Sequence, residues 1–108
     1  MNDGPSYGDG TFATATELDV GGNPEGILAG DIDGDGIVDL ATSNWGSEDV
    51  SILLGSGGGV FGPPSGHGSL EHPSGLAFAD LDCDGLLDLV VSNSSSHDIS
   101  VFTSQVGE

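Results

Sequence analysis

An all-β fold built from two similar four-stranded units is what this sequence predicts, on three observations. The chain repeats itself at an offset of 49 residues. Its apolar residues fall in short runs rich in β-branched types, with no stripe at helical spacing. Glycine makes up 20 of 108 residues, and such a content suits tight turns rather than helices.

The repeat comes first because it organises everything else. Asp31-Ile32-Asp33-Gly34-Asp35-Gly36-Ile37-Val38-Asp39-Leu40 recurs as Asp80-Leu81-Asp82-Cys83-Asp84-Gly85-Leu86-Leu87-Asp88-Leu89. The offset holds on both sides of this block. Pro24 and Gly26 match Pro73 and Gly75, Ser43-Asn44 matches Ser92-Asn93, and Asp49-Val50-Ser51 matches Asp98-Ile99-Ser100. Upstream, Gly8, Gly10 and Phe12 match Gly57, Gly59 and Phe61. Repeats at 8–56 and 57–105 therefore fill a single unit of 1–108 without insertion or deletion.

Within the first repeat, residues 26–31 read as a short strand of small and apolar residues, and 38–43 as a second. Residues 50–54 alternate, with Val50, Ile52 and Leu54 on one face and Ser51 on the other. A weaker fourth strand is expected within 60–70, at an edge because Pro63-Pro64 interrupts it. The second repeat gives strands at 75–80, 87–92 and 98–103, and residues 11–20 read as a fourth strand that precedes the first complete set. Four short strands per repeat of about 50 residues mark a β-propeller blade. Two blades cannot close a ring, since propellers take four to eight. The outer strand of the second blade is thus expected from the N-terminal region of a neighbouring copy in a head-to-tail ring, or from a longer parent chain.

Each repeat carries Asp-x-Asp-x-Asp-Gly-x-x-Asp. Carboxylates at positions 1, 3 and 5 can converge as the loop curls, while Gly36 and Gly85 permit a positive φ. The residue at position 7 can add its carbonyl, and the Asp at position 9 closes the cage. Two carboxylates about 5 Å apart repel by about 3 kcal/mol at an effective dielectric of 20, so such a loop favours a cation. Hard oxygen ligands in this number suit Ca²⁺ better than Mg²⁺. An EF-hand is excluded: position 12 is Thr42 or Val91 instead of Glu, and the flanks read as strands.

These units resemble the FG-GAP/VCBS repeat family, the blades of integrin alpha-subunit-type propellers. The residues that carry the resemblance are Gly8-Asp9-Gly10-Thr11-Phe12, Asn23-Pro24, the acidic block from Gly30 to Leu40, and Val50-Ser51-Ile52-Leu53-Leu54-Gly55. Phe61-Gly62 is followed by Pro63-Pro64, so the family's namesake phrase is partial. The resemblance implies that the acidic loop joins the first two strands of a blade and holds Ca²⁺. Carried over by position, the ligands are Asp31, Asp33, Asp35, the Ile37 carbonyl and Asp39, then Asp80, Asp82, Asp84, the Leu86 carbonyl and Asp88. It also implies protein or glycan partners and an extracellular or cell-surface setting.

Composition removes other classes. With 18 acidic residues and no Lys or Arg, the formal net charge is -18. Nucleic-acid binding and attachment to anionic membranes both need cations that are missing. No apolar run reaches the length of a membrane-spanning helix. The single cysteine, Cys83, excludes an internal disulfide. The first residues, Met1-Asn2-Asp3-Gly4-Pro5, have neither the basic nor the apolar region of a signal peptide. His67, His72 and His97 have no zinc-ligand spacing, Cys83 sits among carboxylates, and no Gly-x-Ser-x-Gly elbow occurs. No enzyme is expected. Trp45, whose repeat equivalent is Ser94, is the candidate contact for a sugar or protein partner, or else a packing residue against the next blade. The expected function is a non-enzymatic, calcium-binding propeller module for recognition or adhesion, lectin-like or protein-binding. The alternative is a structural unit whose activity is self-assembly.

Overall fold

A computed structural model describes residues 10–12, 15–68 and 70–104. All regular structure among them is β. The first sheet contains β1 (Pro24–Gly30), β2 (Asp39–Asn44), β3 (Asp49–Leu53) and, after a small hairpin of β4 (Gly55–Gly57) and β5 (Val60–Phe61), β6 (Ser65–Gly68). Its order is β1-β2-β3-β6, antiparallel throughout. The second sheet is β7 (Pro73–Ala79), β8 (Asp88–Asn93) and β9 (Asp98–Phe102), in that order. These are propeller blades, and the second has three strands among the described residues.

Two expectations change in detail. The stretch expected as one weak strand over 60–70 is divided. Pro63 and Pro64 supply no N–H for a ladder. The chain before them folds back as β4-β5, and only β6 joins the blade. Residues 11–12 and 15–20 of the predicted N-terminal strand are not in a strand; 13–14 lie outside the described residues. Thr16, Leu18 and Val20 instead line a cleft with Ile27, Leu40 and Leu53.

Alternation along the strands creates two faces per blade. In the first blade Leu28, Ala41, Val50 and Ile52 share one face, and Ile27, Leu40, Thr42 and Leu53 the other. The core lies between blades. Ala41, Val50 and Leu70 meet Leu89 and Val91 there, flanked by Leu28, Ile52, Leu76, Phe78 and Phe102. Fully burying a side chain such as Val50 or Val91 contributes about 1.5–3 kcal/mol. Ser43 adds a polar tie: its hydroxyl accepts the Gly26 N–H at 2.9 Å and donates to the Ser74 carbonyl at 2.9 Å. The approach is close, since a Cβ on Gly26 would lie 2.8 Å from that carbonyl.

A second polar network recurs at the repeat offset. Asn44 Nδ2 donates to Asp49 Oδ1 at 3.0 Å and Ser51 Oγ at 2.9 Å, and Ser47 Oγ donates to the same Asp49 oxygen at 2.6 Å. Asn93, Asp98, Ser100 and Ser96 repeat this with 3.1, 2.8 and 2.6 Å. Each set ties the β-turn at 45–48 or 94–97 to the strands that flank it. Hydrogen bonds from Ser96 and Asn93 hold the Asp98 carboxyl below its ordinary range.

Candidate metal centre

The acidic loops join β1 to β2 and β7 to β8, and their folding follows from Asp at position 1. In the first loop, Asp31 Oδ1 accepts the N–H groups of Gly34 at 2.9 Å and Asp35 at 3.2 Å, and Oδ2 accepts that of Gly36 at 2.8 Å. One carboxylate therefore curls the loop around itself. These bonds, that of Gly36 above all, lower the Asp31 pKa. Gly36 and Gly85 sit at φ 84° and 89°, the left-handed region that the turn requires. Asp35 Oδ1 then accepts the Ile37 N–H at 2.9 Å, and in the second loop Asp84 Oδ1 accepts that of Leu86 at 3.0 Å.

Position 9 does something the loop alone does not require. Asp39 is fully buried, and both of its oxygens are engaged. Oδ2 accepts the Ile32 N–H at 2.8 Å, and Oδ1 accepts the Gly55 N–H, from beyond β3, at 2.7 Å. Asp88 repeats this with Leu81 at 2.9 Å and Ser104 at 2.8 Å. Each buried carboxylate thus pins the acidic loop to the end of the blade's third strand. Gly55 has to be glycine for this contact, because a Cβ there would run into the Val38 carbonyl.

The predicted ligands converge to different degrees. Asp31, Asp33, Asp35 and Asp39 each place one carboxylate oxygen within 4.8 Å of the others. In the second loop Asp80, Asp82 and Asp88 do so, and Asp84 does not join them. The difference accompanies a change in sequence. Gly34, at φ 78°, is replaced by Cys83, held at φ 61° where an L side chain is disfavoured. Asp80 holds Asp84 and Gly85 at 3.1 and 2.9 Å. Leu86 and the neighbouring Asp82 and Asp80 lower the Asp84 pKa. Ile37 and Leu86 stand at the close of their loops, each fixed through its N–H.

The gathered carboxylates act on one another. Desolvation first, then hydrogen bonding to Asp35 and repulsion from Asp39 and Asp35, push the Asp33 pKa up. Asp82 is raised by desolvation, by its hydrogen bond to Asp84 and by repulsion from Asp84 and Asp88. The first loop fits a hard cation with four carboxylates, the second with three. The N–H bonds to Asp39 do not forbid coordination, since each carboxylate oxygen offers two acceptor sites.

Trp45 lies far along the blade from these loops, in the β2–β3 turn. Its ring stacks on His72, which leads into β7, at 5.2 Å and 10°. His72 Nε2 is 3.8 Å from Glu25 Oε1. The stack fastens the turn of one blade to the entry of the next and leaves Trp45 41 % exposed. The networks around Asn44 and Asn93 were not expected as functional elements. Their signal in the sequence is the recurrence of the same polar residues, at the same offset, within strands.

Antiparallel blades whose first two strands are joined by Asp-rich turns define a propeller-blade repeat protein. A model of the FG-GAP-like repeat matches residues 34–91, just over half of the chain, and the chain belongs to that family. No curated protein and no solved structure matches it. Among the described residues no helix is long and apolar enough to cross a membrane.

Proposed function

We propose that this chain is a calcium-stabilised β-propeller module for recognition or adhesion outside the cell, without catalytic activity of its own. The observation that carries the reading is the convergence of Asp31, Asp33, Asp35 and Asp39 within 4.8 Å at the β1–β2 turn. A bound Ca²⁺ would supply positive charge that offsets this cluster. The chain's own residues do the rest. Asp31 shapes the turn, Asp39 ties it to Gly55, and the loop is held in place at one end of the blade. Two sites are proposed, the second weaker because three carboxylates converge there. Extracellular calcium, at millimolar level, fills even weak modules of this kind. Protein or glycan ligands would meet loops at the blade ends, with Trp45 as the aromatic contact. Loss of glycan or protein binding in Trp45→Ala, with folding retained, would support that role.

The experiment is calcium titration by calorimetry together with thermal melting in calcium and in EDTA. A ligand bound only by the folded state adds about 2.7 kcal/mol per site at a hundred times its Kd. Unchanged melting on chelation would overturn the metal reading. A second reading, assembly as the main activity, is favoured by the exposed Ile99 and Val101 on the open face of the second blade.

A further inference from the structure

The repeat has a use beyond the loops, because the contact between the two blades is itself a template. The first blade presents Leu28, Ala41, Val50 and Ile52 to the second. The second blade's equivalents of these residues are Ala77, Val90, Ile99 and Val101, on the face turned away from the first blade. Ile99 is 63 % and Val101 49 % exposed. Conversely, the second blade receives that contact with Leu76, Phe78, Leu89, Val91 and Phe102. Most of their equivalents in the first blade, Ile27, Leu40, Thr42 and Leu53, line an open cleft with Leu18, and Ile27 is 69 % exposed. Among the described residues, one chain therefore carries both halves of its own internal interface, and each keeps exposed apolar side chains: Ile27 on one, Ile99 and Val101 on the other.

Strand edges repeat the pattern. The fourth strand of the first blade is β6, paired as Asp49 with Gly68, Val50 with His67, Ser51 with Gly66 and Ile52 with Ser65. Shifted by 49 residues, the same register sets β9 against residues 16–19: Asp98 with Asp19, Ile99 with Leu18, Ser100 with Glu17 and Val101 with Thr16. Residues 16–19 are already placed for this. Leu18 shares its cleft with Leu40 and Leu53, as its equivalent His67 shares one with Leu89 and Phe102. A segment held near its bound position loses less entropy on docking. Ser92 completes the set. Its hydroxyl accepts the Gly75 N–H at 2.9 Å, as Ser43 accepts that of Gly26. Ser43 donates onward to the Ser74 carbonyl, whose repeat equivalent is the Glu25 carbonyl.

We propose that copies of this chain assemble head to tail, residues 16–19 of one adding to β9 of the next while the Ile27–Leu53 face covers Ile99 and Val101. This rests on the propeller-blade reading and not on calcium. The contact is heterologous, and a closed ring of four to eight blades needs two to four copies. Charge opposes it: each chain carries -18, and the register sets Asp19 opposite Asp98. Assembly should strengthen from 0.1 to 1 M NaCl, as the screening length falls from about 10 to 3 Å.

The test is static light scattering of the 108-residue chain across concentration, in both salts, with calcium and with EDTA. The expected mass is two to four times 10.7 kDa. Ile99→Asp and Ile27→Asp alter exposed side chains and should each give the single-chain mass with unchanged circular dichroism. Mixed, they retain one good face each and should form a 1:1 dimer that grows no further. Single-chain mass for the unaltered protein in every condition would overturn the proposal. So would assembly that survives both variants, or a mixture that stays monomeric where the unaltered protein assembles. Calcium heats on the same samples separate the two readings: binding without assembly sinks this proposal alone, and assembly without binding sinks the metal reading alone.

Discussion

Replacing Asp39 by Asn separates the two tasks this residue carries. Asp39 is fully buried and accepts N–H groups at both oxygens, from Ile32 at 2.8 Å and Gly55 at 2.7 Å. Asn has one acceptor oxygen and one NH₂. Either amide orientation sets a donor against a partly buried N–H. Leaving that N–H unsatisfied costs about 1–3 kcal/mol. The substitution also removes one charge from the acidic cluster, which by itself favours the metal-free fold. Asp33→Asn is the proper reference: it relieves repulsion in the same cluster, but Asp33 is exposed and does not pin the loop to Gly55. In EDTA, Asp39→Asn should therefore be less stable than Asp33→Asn by about 2 kcal/mol, or roughly 8–10 °C in Tm for a domain of this length. Urea unfolding followed by circular dichroism, with both variants in EDTA, measures the difference. Equal stabilities would refute the argument that Asp39 holds the loop to the blade. In calcium, both variants should lose the stabilisation that the first loop supplies.

Three further outcomes follow from the repeat. Thr42 Oγ1 donates to Asn44 Oδ1 at 3.1 Å, but the equivalent of Thr42 is Val91, and Asn93 Oδ1 is buried without a partner among the described residues. Val91→Thr should therefore stabilise the protein by about 1 kcal/mol; a loss in chemical denaturation would mean that the hydroxyl cannot reach. Cys83→Gly removes an L side chain from φ 61°. It should add about 1 kcal/mol and raise calcium affinity at the second loop in calorimetry, while unchanged affinity would place the cause of its looser geometry elsewhere. Asp98 has its pKa lowered in the folded state, so its contribution is present above the unfolded value of 3.8 and is lost as pH falls below it. Asp98→Asn should flatten that part of the stability profile between about pH 5 and 2, and an unaltered slope in acid titration would contradict it.

Much of the site could be read from residue order because its parts are local. Asp31 curls its own loop through bonds to residues three to five positions away, so spacing alone implies the geometry. The convergence of Asp33 and Asp35 belongs to the same short turn. Asp39 could be placed in the cluster by the same reasoning, but its bond to Gly55 spans two strands and the turn between them and has no mark in the motif. Asp84 shows the opposite limit. Its motif position matches Asp35, yet one substitution, Gly34 to Cys83 at the repeat offset, accompanies a looser arrangement. Trp45 was open to two readings, and a ring from 27 residues further along the chain, His72, favours packing as one of its tasks.

The sequence by itself determined the all-β class, the repeat of 49 residues and the acidic turns that join strands. These depend on alternation, glycine placement and short-range hydrogen bonds, all of which act within a few residues. Tertiary structure alone decided which faces meet. The two faces of a blade have similar apolar character, with Leu28, Ala41, Val50 and Ile52 on one and Ile27, Leu40 and Leu53 on the other. Nothing in either pattern says which is covered. The choice is made when Val91 and Leu89 close over Val50 and Ala41, because burial is a property of the pair of blades and not of either strand order.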